Sequence, residues 1–211
     1  MIPSKEEWMQ VLELRHGKER QRAFSNATVA VCGLGGLGSN VAVSLARAGI
    51  GKLILMDFDR VDITNLHRQQ YKVIQLGRPK VEALAENLRE IAPYTELELH
   101  NVKITEENAP ALLAEADVVC EAFDNPVCKA MLVNVVLEQM TEKYLVAGSG
   151  MAGMKSTNLI RTRRITDHFY LCGDGVSDVN DGMGLVAPRV MACAAHEAHM
   201  ILRILSGELE A

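Results

Sequence analysis

Three carboxylates, two cations and a glycine loop stand out in the 211-residue sequence. The loop is VAVCGLGGLGSN, residues 29–40, with Gly33, Gly35 and Gly38 spaced as G-x-G-x-x-G. Gly33 permits a tight strand-to-helix turn. Gly35, with Gly36 beside it, lets backbone approach a phosphate without a Cβ in the way. Gly38 lets the following helix pack closely on the strand. A helix N-terminus at that point offers free N–H groups and a partial positive charge to an anion. Asp57 follows Gly38 by 19 residues, where a ribose-binding carboxylate belongs. This much predicts a nucleotide and does not separate NAD from ATP.

The run Asp57–Gln70, DFDRVDITNLHRQQ, narrows the choice. It adds a second carboxylate, Asp59, and then Asn65, Arg68 and Gln69. Lys80 follows Gly77-Arg78-Pro79, and Asp124-Asn125 stands after another apolar run. A hydride-transfer site has little use for Arg68, Lys80 and a spare Asp124 around phosphates. A site that attacks the α-phosphate of a nucleoside triphosphate does. Cations stabilise the charge on non-bridging oxygens and departing pyrophosphate, and a carboxylate such as Asp124 holds Mg²⁺. Lys80 opens a helical pattern, where the macrodipole disfavours a cation, so an anion nearby is expected. Taken singly, Arg68 also fits a surface ion pair, Lys80 a solvated helix start, and Asp124 a helix cap. Together they form a far less ordinary set.

The elements that must position these residues follow from periodicity. Residues 5–24 read as a charged helix or helical arm outside the core, carrying Trp8, Leu12 and Leu14. Strands are predicted at Thr28–Gly33, Lys52–Asp57, Glu96–Val102, Asp117–Ala122 and Leu145–Gly148. Helices are predicted at Ser39–Ala48, Lys80–Ile91 and Thr105–Ala116, the last capped by Thr105, then after the loop Phe123-Asp124-Asn125-Pro126 to about Met140, and from about Pro188 to Ser206. Residues 58–79 form a long polar connection, the kind more often functional than idle. Residues 158–171 read as one or two further strands, and 173–184 as a Gly/Asp-rich loop. The alternation predicts an α/β fold: a Rossmann-like, doubly wound, mostly parallel sheet with antiparallel strands in the C-terminal part. In such a sheet the strand C-terminal ends converge on one crevice, which would gather the residues above.

The bulk numbers exclude several classes. The length suits one domain spanning 1–211, with residues 1–24 as its arm. A net charge of −5 and no basic block argue against nucleic acid or an anionic membrane as the main partner. The charged N-terminus lacks a signal-peptide core, and no apolar run is long enough to span a bilayer, so a cytoplasmic location is expected. The five cysteines, Cys32, Cys120, Cys128, Cys172 and Cys193, form no C-x-x-C pair and read as reduced thiols.

GLGGLGSN, AGIGKLILMDFD, TNLHRQQ, GRPK and the FDN loop together resemble the ThiF-type adenylyltransferases (the ThiF, MoeB and HesA group), relatives of the ubiquitin-activating enzymes. The similarity runs from about residue 15 to 207 and includes GLVAPRVMACAAHEAHMILRILSGE, which is similar to that family's last core helix. The resemblance implies ATP and Mg²⁺, and a small ubiquitin-like sulfur carrier whose C-terminal Gly-Gly carboxylate attacks the α-phosphate. It assigns Gly36 to the phosphates, Asp57 to the ribose, Asn65 and Arg68 to phosphates, Lys80 to the developing charge, Asp124 to Mg²⁺ and Asn125 to the adenine or its ribose. It also implies a homodimer in which an N-terminal arginine, Arg15 or else Arg20, reaches the partner's site.

Two departures from the family pattern matter. The first zinc-binding pair would fall at Phe169 and Cys172, so a ligand is missing and no structural zinc is expected. The transfer cysteine that many members carry aligns near Asn180. Cys172, placed at a loop edge, is then the remaining thiol for accepting sulfur, or an inert remnant. The short form resembles members associated with thiamine biosynthesis, whose carrier is ThiS. Competing readings are adenylation of a small-molecule or RNA-linked carboxylate, a silent carrier- or nucleotide-binding module, and an NAD-dependent oxidoreductase.

Overall fold

Short runs, most of them apolar but including ELELH and RTRR, become the strands of a single sheet. They are β1 (Thr28–Cys32), β2 (Lys52–Met56), β3 (Glu96–His100), β4 (Val118–Glu121), β5 (Tyr144–Gly148), β6 (Arg161–Arg164) and β7 (Phe169–Gly173). The computed structural model describes residues 2–179 and 184–211. The strand order is β3-β2-β1-β4-β5-β7-β6, parallel throughout except for the terminal β6–β7 pair. β1 lies in the interior of the sheet between β2 and β4, with Val29 in register with Leu53 on one side and Val118 on the other. Its side chains from Val29 to Cys32 are fully buried, as expected of a strand covered on both faces.

Among the described residues there are seven α-helices: α1 (Lys5–His16), α2 (Lys18–Asn26), α3 (Gly36–Arg47), α4 (Lys80–Ile91), α5 (Ala109–Leu112), α6 (Pro126–Gln139) and α7 (Ala187–Leu205). Alternate strand residues divide between two cores. Val29, Val31, Leu53 and Leu55 pack with Leu45 of α3, Leu84 and Leu88 of α4, and Ile201 of α7. Ala30, Cys32, Ile54 and Met56 pack with Ala109 of α5 and Leu132 and Val136 of α6. Each fully buried Leu, Ile or Val contributes about 1.5–3 kcal/mol relative to exposure, so this two-sided burial fixes strand register and the sheet's upper rim.

Three elements differ from expectation. The N-terminal arm is broken at Gly17, whose φ is 88°. Its second half belongs to the core: Phe24 and Gln21 are buried, and Gln21 Nε2 donates to the Gly49 carbonyl at 3.3 Å. The predicted helix over 105–116 shrinks to Ala109–Leu112; Pro110, with no N–H to donate to an earlier turn, sits in its first turn and keeps it from starting at Thr105. Thr105 instead exchanges hydrogen bonds with Asn108 ahead of that helix. α3 begins at Gly36 rather than Ser39, so the glycine loop itself supplies the helix's first turn.

Candidate active site

A cleft of about 360 Å³ opens where the C-terminal ends of β1, β2 and β4 meet. The strand order reverses direction between β1 and β4, the switch point where ligands bind in open α/β sheets. Gly33, Gly35, Gly36, Asp57, Asp59, Asn65, Arg68, Lys80, Asp124 and Asn125 all line this cleft. Two expected residues do not. Gly38 lies behind the wall, where a Cβ would run into the Gly33 carbonyl oxygen, so its role is to let α3 close on β1. Arg15 lies exposed on α1, outside the lining of this chain's own cleft.

The glycine loop is shaped by its neighbours. Gly33 has a φ of 91°, a conformation that glycine adopts without strain. A Cβ at Gly36 would stand 3.0 Å from Val190 Cγ1 and 3.4 Å from the Arg68 side chain, so any larger residue would press on both. The Tyr71 hydroxyl donates to the Leu34 carbonyl at 2.7 Å and pins the loop from beneath.

Asp57 ends β2 and is buried. Its Oδ2 accepts the Leu34 N–H at 2.7 Å and its Oδ1 accepts the Asp59 N–H at 2.8 Å, tying glycine loop to acidic loop. Burial pushes the Asp57 carboxyl up, and the nearby Lys80 ammonium opposes that rise. Lys80 is buried at the start of α4. Its Nζ lies 2.8 Å from Asp59 Oδ2 and 3.8 Å from Asp57 Oδ2. An incoming phosphate therefore competes with Asp59 for this cation.

The connection over 58–79 contains two short 3₁₀ turns, Ile63–Asn65 and Val73–Gln75. The first places Asn65 and Arg68 over the glycine loop. Arg68 is half-buried, and its Nε has no hydrogen-bond partner. Burial lowers its pKa, while Asp124 across the cleft counters that effect. Gln69 is buried, with its side-chain oxygen also unpartnered. Orphaned polar atoms at this depth are costly, and a bound polyanion with its hydroxyls offers them partners.

Asp124 and Asn125 are exposed on the loop after β4. The helix cap is Asn125 rather than Asp124: the Asn125 Oδ1 accepts from the N–H groups of Val127 at 2.9 Å and Cys128 at 3.1 Å. The loop is anchored by Glu121, which motif reasoning missed. Glu121 is buried, accepts the Phe123 N–H at 2.7 Å, and pairs with Lys129 Nζ at 2.7 and 3.0 Å. A carboxylate ending an apolar strand, eight residues before a lysine in the next helix, was the available signal.

Cys172 is not at a loop edge. It is buried within β7, and burial pushes its thiol up to about 12, with Glu197 adding to the rise. Of the five cysteines, Cys128 alone is not fully buried, and it lines the cleft. Asn180, at the position aligned with the family's transfer cysteine, lies outside the described residues. Among the described residues no helix is long and apolar enough to cross a membrane.

The sequence matches the model of the ThiF family over residues 9–211. It is 37% identical over 143 residues to "Adenylyltransferase and sulfurtransferase MOCS3" of Anopheles gambiae, covering 67% of this chain and 32% of that protein. It is 38% identical over 110 residues to "Sulfur carrier protein adenylyltransferase" of Thermus thermophilus, covering 52% of this chain and 41% of that protein. The chain thus spans well under half the length of these curated relatives. Its fold superposes on E. coli tRNA N6-threonylcarbamoyladenosine dehydratase, TcdA, solved with AMP, with a TM-score of 0.87 at 21% identity over 99% of this chain and 98% of that one. With a family match that spans nearly the whole chain, the protein belongs to the ThiF family.

Proposed function

We propose that this chain is an adenylyltransferase that activates a terminal carboxylate with ATP. The observation that carries this reading is the convergence of Arg68, Lys80 and Asp124 with the glycine loop and Asp57 in one cleft. Adenosine would lie over the ends of β2 and β3, with its ribose hydroxyls on Asp57. The α-phosphate would sit at the α3 N-terminus, against Gly35 and Gly36. An acceptor carboxylate attacks phosphorus, the bond to the β-phosphate oxygen breaks, and pyrophosphate leaves with its electron pair. Arg68 and Asn65 hold phosphate oxygens through this step. Lys80, exchanging Asp59 for phosphate, stabilises the charge that develops. Asp124, exposed at the cleft, suits a hard cation such as Mg²⁺, which would neutralise phosphate charge when bound.

The leading acceptor is the Gly-Gly terminus of a ubiquitin-like sulfur carrier, ThiS-like and serving thiazole synthesis. A relative named sulfur carrier protein adenylyltransferase, and another named adenylyltransferase and sulfurtransferase, support this choice. A homodimer in which Arg15 enters the partner's cleft would complete the phosphate site. The exposed position of Arg15, outside its own cleft, is compatible with that role. A second reading, an RNA-linked carboxylate, is favoured by the end-to-end similarity to TcdA and opposed by the net charge of −5. The test is ATP–pyrophosphate exchange with the purified chain, offered a Gly-Gly-ended carrier or tRNA in parallel. Carrier-dependent exchange that is lost in Lys80→Ala and Asp124→Ala is expected. ATP binding with no exchange from either acceptor defeats the proposal.

A further inference from the structure

A buried ion pair outside the nucleotide-binding residues joins three segments. Arg189, in the first turn of α7, and Asp174, just after β7, are 2% and 3% exposed and meet at 2.5 Å. Arg189 also donates to the Ser156 carbonyl at 2.7 Å and to the Lys155 carbonyl, both in the loop after β5. Asp174 in turn accepts the N–H groups of Val176 and Ser177 at 2.9 and 2.8 Å. A cation in the first turn of a helix opposes the macrodipole, and burying one costs more still, so its partners hold it there. The loops themselves interlock. Asp174 N–H donates to the Gly150 carbonyl at 2.9 Å and Gly175 N–H to that of Ser149 at 3.1 Å. A Cβ on Gly150 would run into the Asp174 carboxylate.

The loop after β5 and the start of α7 reach the cleft wall, and the loop after β7 stands behind them. Met151 lies in the first of them. Leu185 and Val190 flank Arg189, and all three line the cleft. The Leu185 carbonyl contacts His67 Nε2 at 3.1 Å, between Asn65 and Arg68 in sequence. Strand order puts Asp57 and residues 102–104, after β2 and β3, on the opposite half. If the nucleoside takes that half, the acceptor enters from the β5 and β7 side.

We propose that Arg189 is a positioning residue: by clamping the loops after β5 and β7 it sets the acceptor half of the cleft. The choice of half rests on the adenylation reading. The test compares Arg189→Lys, Arg189→Met and Asp174→Asn in the full-length chain. Readouts are ATP binding, deuterium uptake over 149–160 and 174–179, and pyrophosphate exchange driven by a synthetic peptide ending in Gly-Gly. Expected in Arg189→Met and Asp174→Asn are faster uptake in both loops, ATP affinity within threefold of the parent, and an acceptor KM raised at least tenfold with little change in kcat. Arg189→Lys should recover part of that KM. If Arg189→Met does not fold, Asp174→Asn carries the comparison. Unchanged loop uptake, or equal losses for ATP and acceptor, overturns the inference. If the parent exchanges with no carboxylate, the functional reading fails, and loop uptake together with retained ATP affinity alone judges the clamp.

Discussion

Glu197 makes the sharpest demand on the interior. It lies in α7, fully buried, and neither carboxyl oxygen has a hydrogen-bond partner. A Cβ at Gly148 would stand 2.5 Å from Oε1, and Leu37 closes the same side. Lys129 is the cation that opposes its shift, but its ammonium is already held by Glu121 at 2.7 Å. Burial therefore drives the Glu197 carboxyl well above its ordinary 4.5, with Glu121 pushing the same way. The folded protein keeps this proton where the unfolded chain has lost it. Stability is then fully present below the unfolded pKa and falls as pH rises toward the folded one. One proton contributes a slope of at most about 1 kcal/mol per pH unit between the unfolded and the folded pKa.

Glu197→Gln keeps the shape and removes the titration. Any change in amide hydrogen bonding adds a pH-independent offset, so the slope decides. Urea unfolding of both proteins at pH 5, 6 and 7 should show the variant gaining on the parent as pH rises, by up to about 1 kcal/mol per step, with m unchanged. A carbonyl-stretch band of a protonated carboxylic acid at pH 7, absent from the variant, is the spectroscopic counterpart. Parallel pH profiles would refute the reasoning, because the carboxylate would then be ionised and compensated, and α7 would not pack as described.

Three further outcomes follow from the same contacts. Gly36→Ala puts a methyl 3.0 Å from Val190 and against Arg68, so pyrophosphate exchange should fall by about 10²-fold while the unfolding midpoint moves little. Lys129→Met strands a buried Glu121 and should cost about 3–5 kcal/mol in urea unfolding, with Glu121→Gln in the same chain restoring much of it. Burial by itself would raise the Asp174 carboxyl, but bonds from Ser177 and Val176 and the Arg189 guanidinium hold it at about 2. Its contribution is present above the unfolded value of 3.8 and lost as pH falls through about 2, so Asp174→Asn should flatten that acid limb of the stability profile.

Local chemistry made part of this molecule legible in advance. The α4 boundaries, Lys80 and Ile91, follow from periodicity and the proline at 93, and the structure has the same ends. The central strands are apolar and end in turn residues, and the G-x-G-x-x-G spacing marks where the first of them meets a helix. The strand-end rule then brings Asp57, Arg68 and Asp124 to one crevice without knowledge of any tertiary contact. Where expectation failed, a longer-range or single-residue effect was responsible. Gly17 lets the arm fold back so that Phe24 joins the core, and Pro110 cuts α5 short. Cys172 reads as a loop residue from its glycine neighbours, yet it pairs in register with Gly148 of β5.

The buried charges escaped sequence reading for a physical reason. Glu121 and Lys129 are eight residues apart, and Asp174 and Arg189 fifteen, and the partners of each pair stand on different segments, so no single periodicity joins them. They meet because the sheet's upper rim must hold loops that have few apolar side chains to pack. Glu121 fixes the loop carrying Asp124, and Arg189 fixes the loop carrying Met151. Each pair ties a cleft-forming loop to a helix that starts at the rim, α6 in one case and α7 in the other. Charge pairing is a poor source of net stability at such sites but a strict one of geometry, since either partner alone is costly to bury. On the proposed reading, a phosphate and a carboxylate must be held at attack distance, a task that has use for that strictness on both sides of the glycine loop.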